Sequence, residues 1–389
     1  MNKKSHDVLG LVVSDIFPPR IGGSGAWLWE VHKRQPHAQY AMLVGMARGF
    51  KELDAEYPQP IVREDLNMAS RGMLSFRGLK DYWRQARLIQ KSVRQFRPRM
   101  IYAARPLNEG LACRVASLMT GVPYACYVHG EDVNVAKTSR DLSMATKIVL
   151  RNAKALIANS TFTKGLLVNE WNVPDDRVVL MNPGVDTARF SGDGIASPES
   201  VDGGLHLMTA GRLQKRKGHD TVIKSIPELL KTFKNLKYTI AGSGEEADHL
   251  RQLAADLNVA QHVVFAGEVS NDELVALYHQ CDVFVLANRT VGNDVEGFGI
   301  VLLEAQAAGK PVIAGRSGGT CDTMIDGKTG FLVDATSETE LIQCLTENLR
   351  TDAQRRTIGE AAKRHVRSTF DWENLAKIAS DRFHSITAI

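Results

Sequence analysis

The chain has 389 residues, 44% of them hydrophobic and 24% charged. These are the proportions of an ordinary globular protein, so a disordered, collagen-like or disulfide-scaffold chain is excluded; the length suits two or three domains. The net charge of +4 conceals a division: residues 1–200 carry 27 Lys/Arg against 19 Asp/Glu, and residues 201–389 carry 21 against 25. Within residues 71–105 there are ten Lys/Arg and one acid, Asp81, which points to an anionic partner. The five cysteines (Cys113, Cys126, Cys281, Cys321 and Cys344) are widely spaced with no CxxC, so a reducing cytoplasm is expected and zinc or disulfide frameworks are not. No run approaches the ~20 apolar residues of a spanning helix, so any membrane contact would be peripheral.

In chain order, the first short apolar run, residues 8–13, reads as a buried strand and not as a signal peptide. Further strands are expected at 100–103, 124–128, 155–158 and 178–181, with helices in the gaps. Residues 187–204, rich in Gly, Ser, Asp and Pro, read as a linker. Strands follow at 205–210, 238–241, 263–266, 283–286, 311–314 and 330–333. Capping boxes are expected at Ser270 with Glu273 and at Ser337 with Glu340. This alternation predicts two doubly wound, parallel-sheet α/β domains, 1–186 and 205–370, with ligands at the carboxyl ends of the strands. A final helix at 371–389 could pack on either domain, including a return to the first.

Two segments carry chemistry. In LHLMTAGRLQKRKGH, a strand ends at Gly211-Arg212 and a basic loop leads to Lys217-Gly218. A guanidinium and an ammonium there can clamp a diphosphate, whereas Lys215 and Arg216 read as a solvated loop. In NDVEGFGIVLLEAQAAGKPVIAGRSGG, Glu296 and Glu304 flank Gly297-Phe298-Gly299 and the start of an apolar helix at Ile300. Exposed amides at such a start suit anions or sugar hydroxyls, and the carboxylates can accept bonds from vicinal hydroxyls. Two glutamates alone would read first as a capping acid and a helix-surface residue.

These segments resemble the retaining GT-B glycosyltransferases of family 4, particularly bacterial enzymes that mannosylate phosphatidylinositol or build surface polysaccharides. The E-x7-E motif is matched by Glu296 and Glu304, and the Gly-Arg…Lys-Gly element by Gly211, Arg212, Lys217 and Gly218. Gly22-Gly23, His129 and the Asn-Pro-Gly-Val-Asp run at 182–186 match three more family features, in order. The resemblance implies a GT-B fold, two Rossmann-like domains facing a cleft, and transfer of a hexosyl group from GDP-mannose or a UDP-hexose to a glycan or lipid-linked acceptor. It implies that Arg212 and Lys217 bind the diphosphate, and that Glu296 with the amides of Gly297, Phe298 and Gly299 holds the hexose. It implies further that Glu304 binds ribose, that the base sits near Val269, and that His129 meets the sugar 6-hydroxyl. Gly22 and Gly23 would approach the diphosphate or acceptor. No metal or other cofactor is implied, and front-face attack needs no protein nucleophile. For His129 a core role stays open; Glu131 and Asp132 read as a helix start, and Asn159, Ser160 and Thr161 as a cap. Arg289 is open between a ligand and a salt bridge.

A helix over 79–96 would place Leu79, Tyr82, Ala86, Ile89, Val93 and Phe96 on one face and Lys80, Arg84, Arg87, Lys91 and Arg94 on the other. With Arg71 upstream, this ridge is either a solvated face or one that meets an anionic membrane. Nucleic acid is not expected, because recognition motifs and aromatic platforms are missing. One rival is an NAD(P)-dependent oxidoreductase, from Gly242-x-Gly244-x-x-Ala247, although the ribose-binding acid expected ~20 residues on is absent. A GT-B-shaped binding protein without activity is another. Oligomeric state is not read from the sequence.

Overall fold

The computed structural model describes residues 8–20, 22–67, 75–192 and 204–388. The chain divides into two compact units: Met1–Pro183 together with Trp372–Ile389, and Gly184–Asp371. The division therefore falls inside the 182–186 motif, three residues before the sequence-based boundary. Of the expected linker, residues 193–203 lie outside the described residues, while 187–190 are helical and Gly204 already begins a strand.

The first unit runs β1 (Gly10–Ser14), α1 (Gly23–Lys33), β2 (Tyr40–Gly45), α2 (Phe50–Ala55), β3 (Ile61–Glu64), α3 (Phe76–Phe96) and β4 (Met100–Ala103). It continues through α4 (Leu111–Thr120), β5 (Tyr124–Val128), α5 (Glu131–Ala136), α6 (Arg140–Asn152), β6 (Leu156–Ala158), α7 (Thr161–Gly165) and β7 (Val178–Leu180). Among the described residues its seven strands are all parallel, in the order β3-β2-β1-β4-β5-β6-β7. Strands β1, β2, β4 and β5 are buried along their whole length, as continuous apolar runs in a sheet covered on both faces require. β2 and β3 were not anticipated from the sequence.

The second unit runs α8 (Thr187–Phe190), β8 (Gly204–Ala210), α9 (His219–Leu229), β9 (Asn235–Ala241), α10 (Ala247–Asp256), β10 (Val263–Gly267) and α11 (Asn271–Gln280). It continues through β11 (Val283–Leu286), α12 (Ile300–Ala307), β12 (Val312–Gly315), β13 (Phe331–Val333), α13 (Thr339–Gln343) and α14 (Asp352–Thr369). Six parallel strands take the order β10-β9-β8-β11-β12-β13. The last helix, α15 (Trp372–Ala388), returns to the first unit and packs on α1.

In each sheet the order reverses once, between β1 and β4 and between β8 and β11. Loops diverge at such a switch point and leave room for a ligand at the carboxyl ends of the strands. The capping box of Ser270 and Glu273 is present at α11. The one expected at Ser337 and Glu340 is not: Glu340 instead accepts the Asp334 amide at 2.7 Å. A box not anticipated, Thr351 with Gln354, starts α14.

Candidate functional site

At the second unit's switch point, Gly211 leaves β8 with φ +143°, a backbone region that suits glycine. Arg212 follows with its side chain exposed, while the buried His219 bonds its backbone. The loop closes at Gly218, φ +71°, where a Cβ would lie 1.7 Å from the Ala287 carbonyl oxygen at the end of β11. No side chain fits there, so the basic loop is pressed against the neighbouring strand end. Lys215 is exposed, as expected. Arg216 is not the solvated residue expected: it is buried, and its Nε lies 3.2 Å from Asp294. A guanidinium leaves water only against a partner, and Asp294 lies too far along the chain for sequence to reveal it.

Lys217 and Glu296 are 9% and 8% exposed, and Nζ stands 2.5 Å from the carboxylate. Burial would push the Glu296 carboxyl up; Lys217, Arg216 and Arg212 outweigh it and hold it below the ordinary glutamate value. The E-x7-E glutamates are therefore unlike one another. Glu304, on α12, has its carboxyl raised by burial, against the Tyr278 hydroxyl, which donates to it at 2.7 Å, and against Arg189. Tyr278 is a site neighbour that sequence reasoning missed.

Between the glutamates, Phe298 is buried against Phe370, and Gly299 caps α12 with φ +91°. Gly318 holds the preceding turn: its amide neighbour Gly319 donates to the Glu296 carbonyl at 2.9 Å, and a Cβ on Gly318 would stand 2.2 Å from that oxygen. Gly297 and Ile300 are half-buried, at the mouth of the turn. Arg289 resolves as a salt bridge, with both guanidinium ends on Asp220 at 2.9 and 3.0 Å. Its amide donates to the Arg216 carbonyl at 2.8 Å, which fixes the basic loop further.

Val269 lies half-buried after β10. The neighbouring Gly242-x-Gly244 turn has an internal explanation. A Cβ on Gly242 would be 2.0 Å from the Gly211 carbonyl oxygen, and one on Gly244 would be 2.5 Å from that of Leu213. These glycines let the β9–α10 turn sit on the loop that carries Arg212. That accounts for the motif without a dinucleotide.

In the first unit, His129 follows β5. Its Nε2 donates to the Ala104 carbonyl at 2.9 Å, its amide meets both Asp132 oxygens at 3.2 Å, and its ring lies edge-on to Trp27. Glu131 and Asp132 form the first turn of α5, and Ser160 caps α7, as read from the sequence. Asn159 is not the cap: its side-chain amide donates to the His129 carbonyl at 3.2 Å, and its oxygen accepts the Thr163 hydroxyl at 2.7 Å. Gly22 precedes α1 in extended backbone, and a Cβ there would meet only Ile16, at 3.5 Å. Gly25 is the tighter position, 2.9 Å from the Ile16 carbonyl oxygen. Gly23 is the first residue of α1.

The sequence reading missed a charged cluster at this sheet's switch point. Asp15, after β1, pairs with Arg20 at 3.1 Å and lies 3.8 Å from Arg105. Glu109 is buried, pairs with Arg105 at 2.8 Å and accepts the Asp15 amide at 2.7 Å. Burial and Glu109 raise the Asp15 carboxyl, against Arg20 and Arg105. No short motif marks this cluster, since its members come from two segments some 85 residues apart, 15–20 and 105–109.

On α3, Tyr82, Ala86, Ile89 and Val93 are buried and Phe96 half-buried, as the periodicity predicts. Leu79, in the first turn of the helix, departs from it, at 52% exposed. Lys80, Arg87, Lys91 and Arg94 face solvent. Arg84 folds back on the carbonyls of Asp65 and Asn67, and Lys91 is 3.6 Å from Glu64. Arg71 lies outside the described residues.

The residues expected on the donor side thus lie in the second unit, and His129, Gly22, Gly23 and the cationic helix belong to the first. Among the described residues, no helix is long and apolar enough to cross a membrane. Residues 21–189 match the family described as Glycosyltransferase Family 4, and residues 196–365 match Glycosyl transferases group 1. The GDP-mannose-dependent alpha-(1-6)-phosphatidylinositol monomannoside mannosyltransferase of Mycolicibacterium smegmatis is 34% identical over 65% of this chain and 69% of its own length. The Mycobacterium tuberculosis protein of the same name is 36% identical over 57% of this chain and 59% of its own. Among solved structures, Anabaena Alr3699/HepE in complex with UDP and glucose superposes with TM-score 0.77 at 19% identity, over 97% of this chain and all of that one. A glycosyltransferase from Rickettsia africae gives 0.75 at 18%, over 98% and 99%. At such identity these two speak for the fold alone, which is GT-B. With both halves matched and a curated relative at this level of identity, the chain belongs to family 4 of the glycosyltransferases.

Proposed function

We propose that this glycosyltransferase moves a mannosyl group from GDP-mannose, with retention of configuration, to a lipid-linked or glycan acceptor. The observation that carries the reading is the buried Lys217–Glu296 pair beside Arg212, at the switch point of a chain whose curated relatives are named as GDP-mannose-dependent. A UDP-hexose is the second donor considered, since a similarly folded protein was solved with UDP.

In this reading, Arg212 and Lys217 receive the donor diphosphate. Their fixed charges stabilise the leaving phosphate as the glycosidic bond breaks, so no metal is required. Glu296, kept ionised by its cations, accepts bonds from hexose hydroxyls, with the amides of Gly297, Phe298 and Gly299 alongside. Glu304 accepts the ribose hydroxyls, and the base lies by Val269. His129 meets the hexose 6-hydroxyl with its remaining ring nitrogen, Gly22 and Gly23 line the acceptor side, and the leaving phosphate takes the acceptor proton. The cationic face of α3 would bring the enzyme to an anionic cytoplasmic leaflet, where a lipid acceptor resides.

Thermal shift with GDP-mannose, UDP-glucose and UDP-galactose tests the donor. A ligand at 100 times its dissociation constant stabilises by about 2.7 kcal/mol. GDP-mannose is expected to shift the midpoint most, and mannose transfer should continue in EDTA. A larger shift with a UDP-sugar would replace the donor assignment, and loss of transfer in EDTA would end the metal-free reading.

A further inference from the structure

Ten large hydrophobic side chains are conspicuously exposed among the described residues, and five of them lie on three helices of the first unit. Leu79 and Trp83 are on α3, Leu118 on α4, and Met144 and Ile148 on α6. These helices are neighbours: α3 packs on α4, and α4 on α6. The parallel strand order explains why. The connections β3→β4, β4→β5 and β5→β6 all run in one direction across the sheet, so right-handed crossovers set their helices on one face. The buried sides of α3, α4 and α6 point to the sheet, and the exposed residues point outward as one layer.

The same layer is cationic. By sequence, α3 carries six Lys/Arg, α4 one and α6 three, against one acid on α3 and one on α6. On α6 the outward stripe reads Arg140, Met144, Lys147, Ile148, Arg151, at helical spacing. Among the described residues, no ion pair involves Lys147 or Arg151, whereas Asp65, Glu64 and the helix's own Asp81 partly answer Arg84 and Lys91 on α3. Trp83 is 49% exposed, with the Arg87 guanidinium 5.3 Å from its ring. Leu118, at 67%, stands one turn after Arg114 on the middle helix. Apolar anchors set among cations suit an anionic lipid surface, where side chains enter the headgroup boundary and ammonium and guanidinium groups meet phosphates. A solvated face would not need the anchors, and a protein partner would not call for so one-sided a charge.

We propose that the first unit docks on anionic membrane through this three-helix layer, with α4 and α6 contributing alongside α3. The inference rests on the peripheral-membrane reading above and extends it from one helix to a face. A single helix would leave the unit free to roll about its axis. Three side-by-side helices fix which edge of the sheet stands toward the lipid, and hence how a lipid-borne acceptor is presented.

The test is flotation of the full chain with vesicles of phosphatidylcholine alone or with 30% phosphatidylglycerol, at low and rising salt. Three variants are compared with the parent: Met144→Ser with Ile148→Ser and Lys147→Glu on α6, Leu118→Ser on α4, and Trp83→Ser with Arg87→Glu on α3. Each alters exposed side chains only, and unchanged thermal midpoints check folding. The expected result is binding to the anionic vesicles alone, weakened more than tenfold by the α6 and α3 variants and measurably by the α4 variant. If the α6 and α4 variants bind like the parent and only the α3 variant fails, the layer is wrong and the single-helix reading stands. If the parent does not float at low salt, both are wrong. Self-association that the α6 variant abolishes, with vesicle binding intact, would make the layer a protein interface.

Discussion

Lys217 and Glu296 form a contact that bears on stability and, in the proposed donor site, on chemistry. Removing one partner of a buried pair leaves the other charge unanswered, which costs about 3–5 kcal/mol, whereas replacing both with neutral groups is often close to neutral. Arg216 and Arg212 also face Glu296, so the cost of Lys217→Met belongs at the lower end, about 3 kcal/mol. The double variant Lys217→Met with Glu296→Gln should regain most of that in chemical denaturation. It should not regain transfer, because the proposed diphosphate cation and the proposed acceptor of the sugar hydroxyls are both gone. Partial transfer in the double variant would mean that the pair serves the fold and not the donor. The roles of Lys217 and Glu296 were suggested by sequence; their mutual contact was not, since 79 positions separate them. Arg216 was misread for the same reason: a KRK run looks solvated until its partner Asp294 is seen.

At the scale of elements, turns with little room separate positions that look alike as letters. Gly22 and Gly242 both follow a strand and precede a helix. At Gly22 the backbone is extended and a Cβ meets only a methyl at 3.5 Å, so Gly22→Ala should fold with its melting midpoint unchanged. Any loss of transfer then reports on the ligand side. At Gly242, φ is +137° and the Cβ would overlap the Gly211 carbonyl, so Gly242→Ala should displace the Arg212 loop, lower stability by more than about 1 kcal/mol and weaken donor binding. Circular dichroism melts and donor titrations on both variants separate the cases; a stable, donor-binding Gly242→Ala would refute the packing argument. The sheets are legible because buried parallel strands are short apolar runs. β2 carries the same signal, six buried residues from Tyr40, although it is not among the strands expected from the sequence. β3 had little, since an edge strand covered by one neighbour is only half-buried. Ser337 failed as a cap because Glu340 found a nearer donor in the Asp334 amide, a competition that a four-letter motif does not contain.

For the whole molecule, the return of α15 makes the first unit discontinuous and ties its stability to the last residues of the chain. Phe383 stacks on the buried His32 at 5.2 Å and meets Tyr40 and Tyr102 edge-on; Arg34 lies over Trp372, and Gln35 donates to the Ala376 carbonyl. Burial pushes the His32 imidazole down to about 3, far below its value in an unfolded chain. Its neutral form is therefore the folded one. The associated stability is complete above pH 6.5 and is lost progressively as pH falls toward 3, by roughly 5 kcal/mol over the whole window. Phe383→Ala should remove about 3–5 kcal/mol by opening a cavity. It should also admit water to His32, raise its pKa and flatten the acid limb of the stability curve. All five tryptophans lie in the first unit, so their fluorescence reports that unit's unfolding alone. The variant is expected to lower the tryptophan-detected midpoint while a far-ultraviolet transition from the second unit stays in place. A single shared transition that moves as one would show that the units unfold together. An unchanged acid limb would show that α15 is not what keeps His32 dry.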